Sequence, residues 1–144
     1  MPKQPEGNLT GPQFEILRIL WDAQTALTVA EIWEAIGQTR QVSRTTVLNL
    51  VDRLEKRNWL KRSRIENVFR YEPAVDRQTT EKTLASEFVG EYFDGSPSNF
   101  LLSLMGSKRV SRDEIARLKQ MLNDAESKSK SSSPKTTRNK RTSS

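Results

Sequence analysis

Between Ser43 and Arg57 apolar residues recur with the period of an α-helix, and this run restricts the fold more than any other part of the chain. Wound at about 100° per residue, Val47, Leu50, Val51 and Leu54 fall on one side. Thr45, Asn49 and Lys56 point the opposite way, with Arg44, Thr46 and Arg53 on the flanks. Ser43 is an N-cap residue whose hydroxyl can accept from a free amide of the first turn. Many surface helices have one apolar stripe. Fewer carry an outer face of this chemistry, in which Asn and Thr suit adenine edges and thymine methyl groups while Ser, Arg and Lys suit phosphates. Asp52 lies on the same face and would repel phosphate. Lys56, one turn on, can pair with it for ~0.2–0.5 kcal/mol.

Charge supports the same reading. The 144 residues carry a formal net charge of +6, unevenly placed. Residues 38–70 hold nine basic and three acidic side chains, whereas residues 1–37 hold two basic and five acidic. Residues 71–126 hold seven and ten, and residues 127–144 hold six and none. The excess positive charge therefore sits on the proposed reading helix and on the segment after it, a local footprint for a polyanion.

Cys and His are both absent, which excludes disulfides, thiolate or imidazole metal sites and every catalytic arrangement built on either residue. Acidic residues are plentiful, but none has calcium-loop spacing and no glycine-rich phosphate loop occurs. The expectation is a non-enzymatic protein with no cofactor and no metal. No apolar signal segment begins the sequence and no run approaches ~18 apolar residues, so a cytoplasmic protein is expected.

Along the chain, residues 1–8 read as a disordered N-terminus. Thr10 caps a first helix with Pro12 in its opening turn and Phe14, Leu17, Leu20 and Trp21 on its apolar side. Leu27 offers a very short strand. Thr28 with Glu31 forms a capping box for a second helix bearing Val29, Ile32, Trp33 and Ile36, stopped by Gly37. After the Ser43 helix, residues 61–65 and 68–72 read as two short strands around a Glu66-Asn67 turn, ended by Pro73. Three helices and a basic hairpin give a winged helix-turn-helix over residues 9–75. A basic hairpin can simply be an edge strand defended by charge. Coming directly after the reading helix, this one is expected to lie along a nucleic-acid backbone.

Residues 76–126 read as three further helices, the last opened by Ser111 and Glu114. Leu84, Phe88, Tyr92, Phe93, Phe100, Leu101, Leu104, Ile115, Leu118 and Leu122 supply more apolar surface than so small a unit can bury alone. A twofold homodimer through this helical domain is the expected solution; folding back onto the winged domain is the alternative. Residues 127–144, rich in Ser, Lys, Thr and Arg, read as a disordered basic tail. The fold class is thus mainly α with a small β wing.

The order of elements resembles the penicillinase repressor family, also called BlaI/MecI, which includes copper-responsive CopY members. The resemblance rests on Phe14-Glu15-Ile16-Leu17-Arg18-Ile19-Leu20-Trp21, Leu27 to Ile32, Thr45-Thr46-Val47 through Arg53-Leu54, Phe69 to Pro73, and Phe93-Asp94-Gly95-Ser96. It spans roughly residues 9–126. It implies a homodimeric repressor on a palindromic double-stranded DNA operator. In antibiotic-responsive members it also implies relief by cleavage of the dimerisation domain, triggered by a membrane-bound sensor protease. By register from Ser111 that bond falls at Ser103–Leu104, where those members have Asn-Phe. The Asn99-Phe100 pair here lies four residues earlier, out of register. The Cys-x-Cys hook of the copper branch is missing. Asn58 stands where the family commonly has Gly, and no structural change is expected from it.

These residues assign base reading to Thr45, Thr46 and Asn49, and backbone contacts to Ser43, Arg44, Arg53, Lys56, Arg62, Arg64 and Arg70. A winged helix that binds protein or RNA is the competing reading, since the fold alone does not choose the ligand.

Overall fold

The computed structural model describes residues 4–132, and its helices begin where their caps stand. α1 (Gly11–Ala23) opens at Thr10, whose hydroxyl accepts the Gln13 amide at 3.3 Å while the Gln13 side chain accepts the Thr10 N–H at 3.0 Å. The same reciprocal box joins Thr28 and Glu31 at the start of α2 (Val29–Gly37). Ser43 caps α3 (Arg44–Lys56) through the Thr46 amide at 3.1 Å. Past the end of α3, Asn58 takes a left-handed φ of 69°, a conformation Asn accepts almost as readily as Gly.

β1 (Leu60–Ile65) and β2 (Val68–Pro73) pair antiparallel, with Leu60 opposite Pro73 and Ile65 opposite Val68. Glu66 and Asn67 close the hairpin with φ of 53° and 66°, the paired left-handed residues of a type I′ turn. Leu27 bridges to Tyr71 of β2 through two backbone hydrogen bonds of 2.9 and 2.8 Å.

Ile16, Leu17 and Leu20 from α1, Ile32 and Ile36 from α2, and Val47, Val51 and Leu54 from α3 form the core, closed by Leu60 and Tyr71. Ile16, which the apolar spacing of the first helix leaves out, is fully buried. Trp21, Trp33 and Trp59 pack against this core half-buried. Each indole N–H donates to a backbone carbonyl, of Val75 at 3.1 Å, Val42 at 2.7 Å and Glu6 at 2.9 Å respectively. An amphipathic ring at the rim of a core needs such a partner. The Trp33 bond also holds the turn that leads into α3.

The first residues differ from the expected disorder. Residues 4–8 run along the end of α3, where Glu6 N–H donates to the Arg57 carbonyl at 2.9 Å and Asn58 donates to the Gln4 carbonyl at 3.2 Å. Arg57 donates to the Asn8 carbonyl at 3.2 Å. The cause is the helix end itself, which leaves polar groups needing partners. Gly7, at φ +76°, lies so close that a Cβ there would meet Arg57 Nη1 at 2.5 Å. Residues 1–3 lie outside the described residues.

The chain divides into two compact units, Met1–Glu87 and Phe88–Ser144, and the division falls inside α4 (Arg77–Tyr92). In the first unit Asp76 caps α4 by accepting the Thr79 amide at 3.0 Å, and Arg77 ties it to Asp22 of α1 at 2.7 Å. Leu84, expected among the dimerisation residues, belongs to this first unit. In the second unit Phe88 and Tyr92 lie in the last turns of α4 and Phe93 follows it, and Ser96 caps α5 (Pro97–Gly106) through the Asn99 amide. Phe88, Phe93 and Phe100 stack edge to face or tilted, with centroids 5.3 to 6.0 Å apart. Ser111 opens α6 (Arg112–Ser132) by accepting the Glu114 amide at 3.1 Å. The helix continues through residues 127–132, where a disordered tail is expected from composition. Adding turns to a formed helix costs little, and Lys near a helix C-terminus is favourable. Residues 133–144, the rest of that tail, lie outside the described residues.

Candidate nucleic-acid interface

α3 buries Val47, Val51 and Leu54 completely, and this fixes which of its residues face out. Arg44, Thr45, Thr46, Asn49, Arg53 and Lys56 are all exposed, as is the cap Ser43. Thr46 is drawn into the cap, since the Ser43 hydroxyl donates to its Oγ1 at 2.8 Å. Thr45 and Asn49 make no such cap contact and stand one turn apart. Lys56 pairs with Asp52 at 3.0 Å, so the Asp52 carboxylate is neutralised within its own helix. One residue on the outer side is missed by the sequence reasoning: Leu48, 47% exposed.

On the hairpin, Arg62 stands opposite Tyr71 and Arg64 opposite Phe69, so these four side chains share a face. The Arg62 guanidinium lies 4.2 Å from the Phe69 ring centroid and that of Arg64 lies 5.6 Å away. Stacking on an aromatic face orders a guanidinium while leaving its N–H groups free to bond a phosphate. The alternation of β1 and β2 was the available sign of Phe69's role, and it needed the register to be read. Arg70 is placed differently from the other cations. It donates to Glu31 at 3.3 Å and to the Ala26 carbonyl at 3.4 Å, holding β2 to α2.

The Glu31 carboxyl titrates below the ordinary glutamate range, chiefly because the Thr28 backbone N–H donates to it, with Arg70 adding to the effect. A carboxyl held lower in the folded than in the unfolded state contributes stability above its unfolded pKa. That contribution is lost as pH falls through the folded value. Glu31→Gln keeps an acceptor for the cap but removes the charge. Its Tm should lie below that of the parent at neutral pH and converge with it in acid. A gap that persists below the carboxylate range would place the loss elsewhere.

Residues 9–124 match the penicillinase repressor family profile. The chain belongs to the penicillinase repressor family. This is a family of DNA-binding transcriptional repressors and not of enzymes. A penicillinase repressor of Staphylococcus aureus is 24% identical over 116 residues, covering 81% of this chain and 91% of that protein. The transcriptional regulator BlaI of Mycobacterium tuberculosis is 29% identical over 108 residues, covering 74% and 77%. The solution structure of the DNA-binding domain of the repressor BlaI covers 54% of this chain and 90% of its own, at 23% identity and a TM-score of 0.46. The match takes in both units of this repressor: the winged helix with its exposed α3 face, and the helices after it. Among the described residues no helix is long and apolar enough to cross a membrane, and no cluster of His, Cys, Asp or Glu could hold a metal ion.

Proposed function

We propose that this repressor binds a palindromic operator as a homodimer and blocks transcription by occupying the promoter. The observation that carries the reading is the exposed polar face of α3, with Thr45 and Asn49 between Arg44 and Arg53, followed at once by a hairpin that presents two stacked guanidinium groups. Asn49 and Thr45 read bases. Ser43, Arg44, Arg53, Lys56, Arg62 and Arg64 hold phosphates, and Arg70 supports the wing through Glu31. The relatives named above are a penicillinase repressor and a transcriptional regulator, and a DNA duplex is the partner this face fits.

The second unit supplies the dimer. Tyr92, Leu102, Met121 and Leu122 are each more than half exposed, and no side chain of α5 is buried. Ser103–Leu104, the bond that the family register marks for cleavage, lies within α5. A protease acts most readily on exposed, extended chain. Relief by a sensor protease therefore requires α5 to unwind first.

Selection from random duplexes at ~150 mM salt tests the reading, since exposed nonspecific attraction is then screened. An enriched inverted repeat, with half-sites about one helical turn or a multiple apart, is the expected product. Binding that enriches nothing and vanishes as salt rises would overturn it. On the selected site Asn49→Ala should cost ~1–3 kcal/mol while leaving random DNA almost unaffected. Arg64→Ala should weaken both alike and lower the slope of log K against log salt by about one. An unchanged slope would take the wing off the DNA.

A further inference from the structure

Leu48 lies outside the buried core. Its neighbours Val47 and Val51 are fully buried, yet Leu48 is 47% exposed and is not among the apolar residues packed on the core. A lone exposed leucine is ordinary on most surfaces. This one stands about 60° round the helix from Thr45 and about 100° from Asn49, within the face that reads bases. The residues one turn before and after it on the same side are Arg44 and Asp52.

The chemistry of the groove restricts what such a side chain can recognise. Among base edges in the major groove only thymine presents an apolar group, its C5-methyl. Asn49 is suited to the adenine edge through N6 and N7. The arginine fork that reads guanine is missing from the middle of this face, since Arg44 and Arg53 lie toward its edges. The central chemistry of the helix is thus adapted to A·T pairs.

We infer that Leu48 is a base-reading residue that packs on the C5-methyl of a thymine beside the base pair read by Asn49. The inference rests on the operator reading above. Closing the groove over Leu48 removes its exposed methyl groups from water, and a site with cytosine at that position leaves them facing a polar amine.

Deoxyuridine, whose base is thymine without the methyl group, tests this directly. In the selected site each thymine of one half-site is replaced in turn, and Kd is measured for the parent, Leu48→Ala and Leu48→Met. At one position the replacement should weaken the parent about fourfold, the counterpart of ~0.8 kcal/mol for one buried methyl-sized group. Leu48→Met, still apolar at that place, should keep this sensitivity. Leu48→Ala should bind the thymine site more weakly than the parent and be indifferent to the replacement, a non-additivity that marks direct contact. The side chain is exposed and Ala favours helix, so both variants fold. Equal sensitivity of the parent and Leu48→Ala at every thymine would overturn the inference and leave the operator reading intact. Failure to select any sequence would overturn both.

Discussion

A variant carrying Leu102→Glu and Leu122→Glu should be a monomer that binds a full operator about 10²- to 10⁴-fold more weakly than the parent. The size of the loss follows from linkage. Once one subunit of a dimer is seated, the second meets its half-site at high effective concentration, and a monomer loses that advantage without losing a single base contact. The two leucines are chosen because they are 73% and 59% exposed, so charge there does not enter a core. The second unit has little core to enter. Its aromatic cluster is small, Phe88 is 48% and Tyr92 65% exposed, and α5 buries no side chain. Such a unit needs another apolar surface, and a second copy of the same chain is the commonest supplier. Light scattering after size exclusion reads the mass, and titration of full and half operators reads the affinity. The half-operator affinity should be unchanged, because residues 4–87 are untouched. A double variant that stays dimeric would move the interface elsewhere.

Leu54→Ala should destabilise the first unit by ~2–5 kcal/mol, the range for removing a fully buried leucine from a core that relaxes only in part. For a unit of this size each kcal/mol corresponds to roughly 4–8 °C, so a fall of at least ~8 °C in the first thermal transition is expected. Leu54 is 0% exposed and lies among Val47, Val51 and the α1 residues of the core. Leu48→Ala on the same helix should leave that transition nearly unmoved, because half of its side chain already faces water. The pair of variants separates the two faces of α3: one residue holds the helix in place and the other is free to meet a ligand. A loss below ~1 kcal/mol at Leu54 would mean that α3 is not anchored as described.

Sequence by itself determined the elements and their order, because the rules involved act within one turn of chain. Thr10, Thr28 and Ser43 start helices by bonding amides three residues on, Pro12 suits a first turn, and Glu66-Asn67 has only two residues in which to reverse the strand. The outer face of α3 was legible for the same reason, since helical winding is local geometry. Tertiary structure decided what distant residues do to one another. Arg70 reaches Glu31 across 39 positions, Trp59 reaches Glu6 across 53 and Trp21 reaches Val75 across 54. No local pattern announces such pairs, because their cost is the entropy of closing a loop and their gain is a partner that exists only after folding. Those pairings hold Arg70 of the wing to α2 and tie residues 4–8 to the end of α3. Packing likewise separates Leu48 from Leu54: both are leucines of one helix, and only the position of the core buries one and leaves the other exposed.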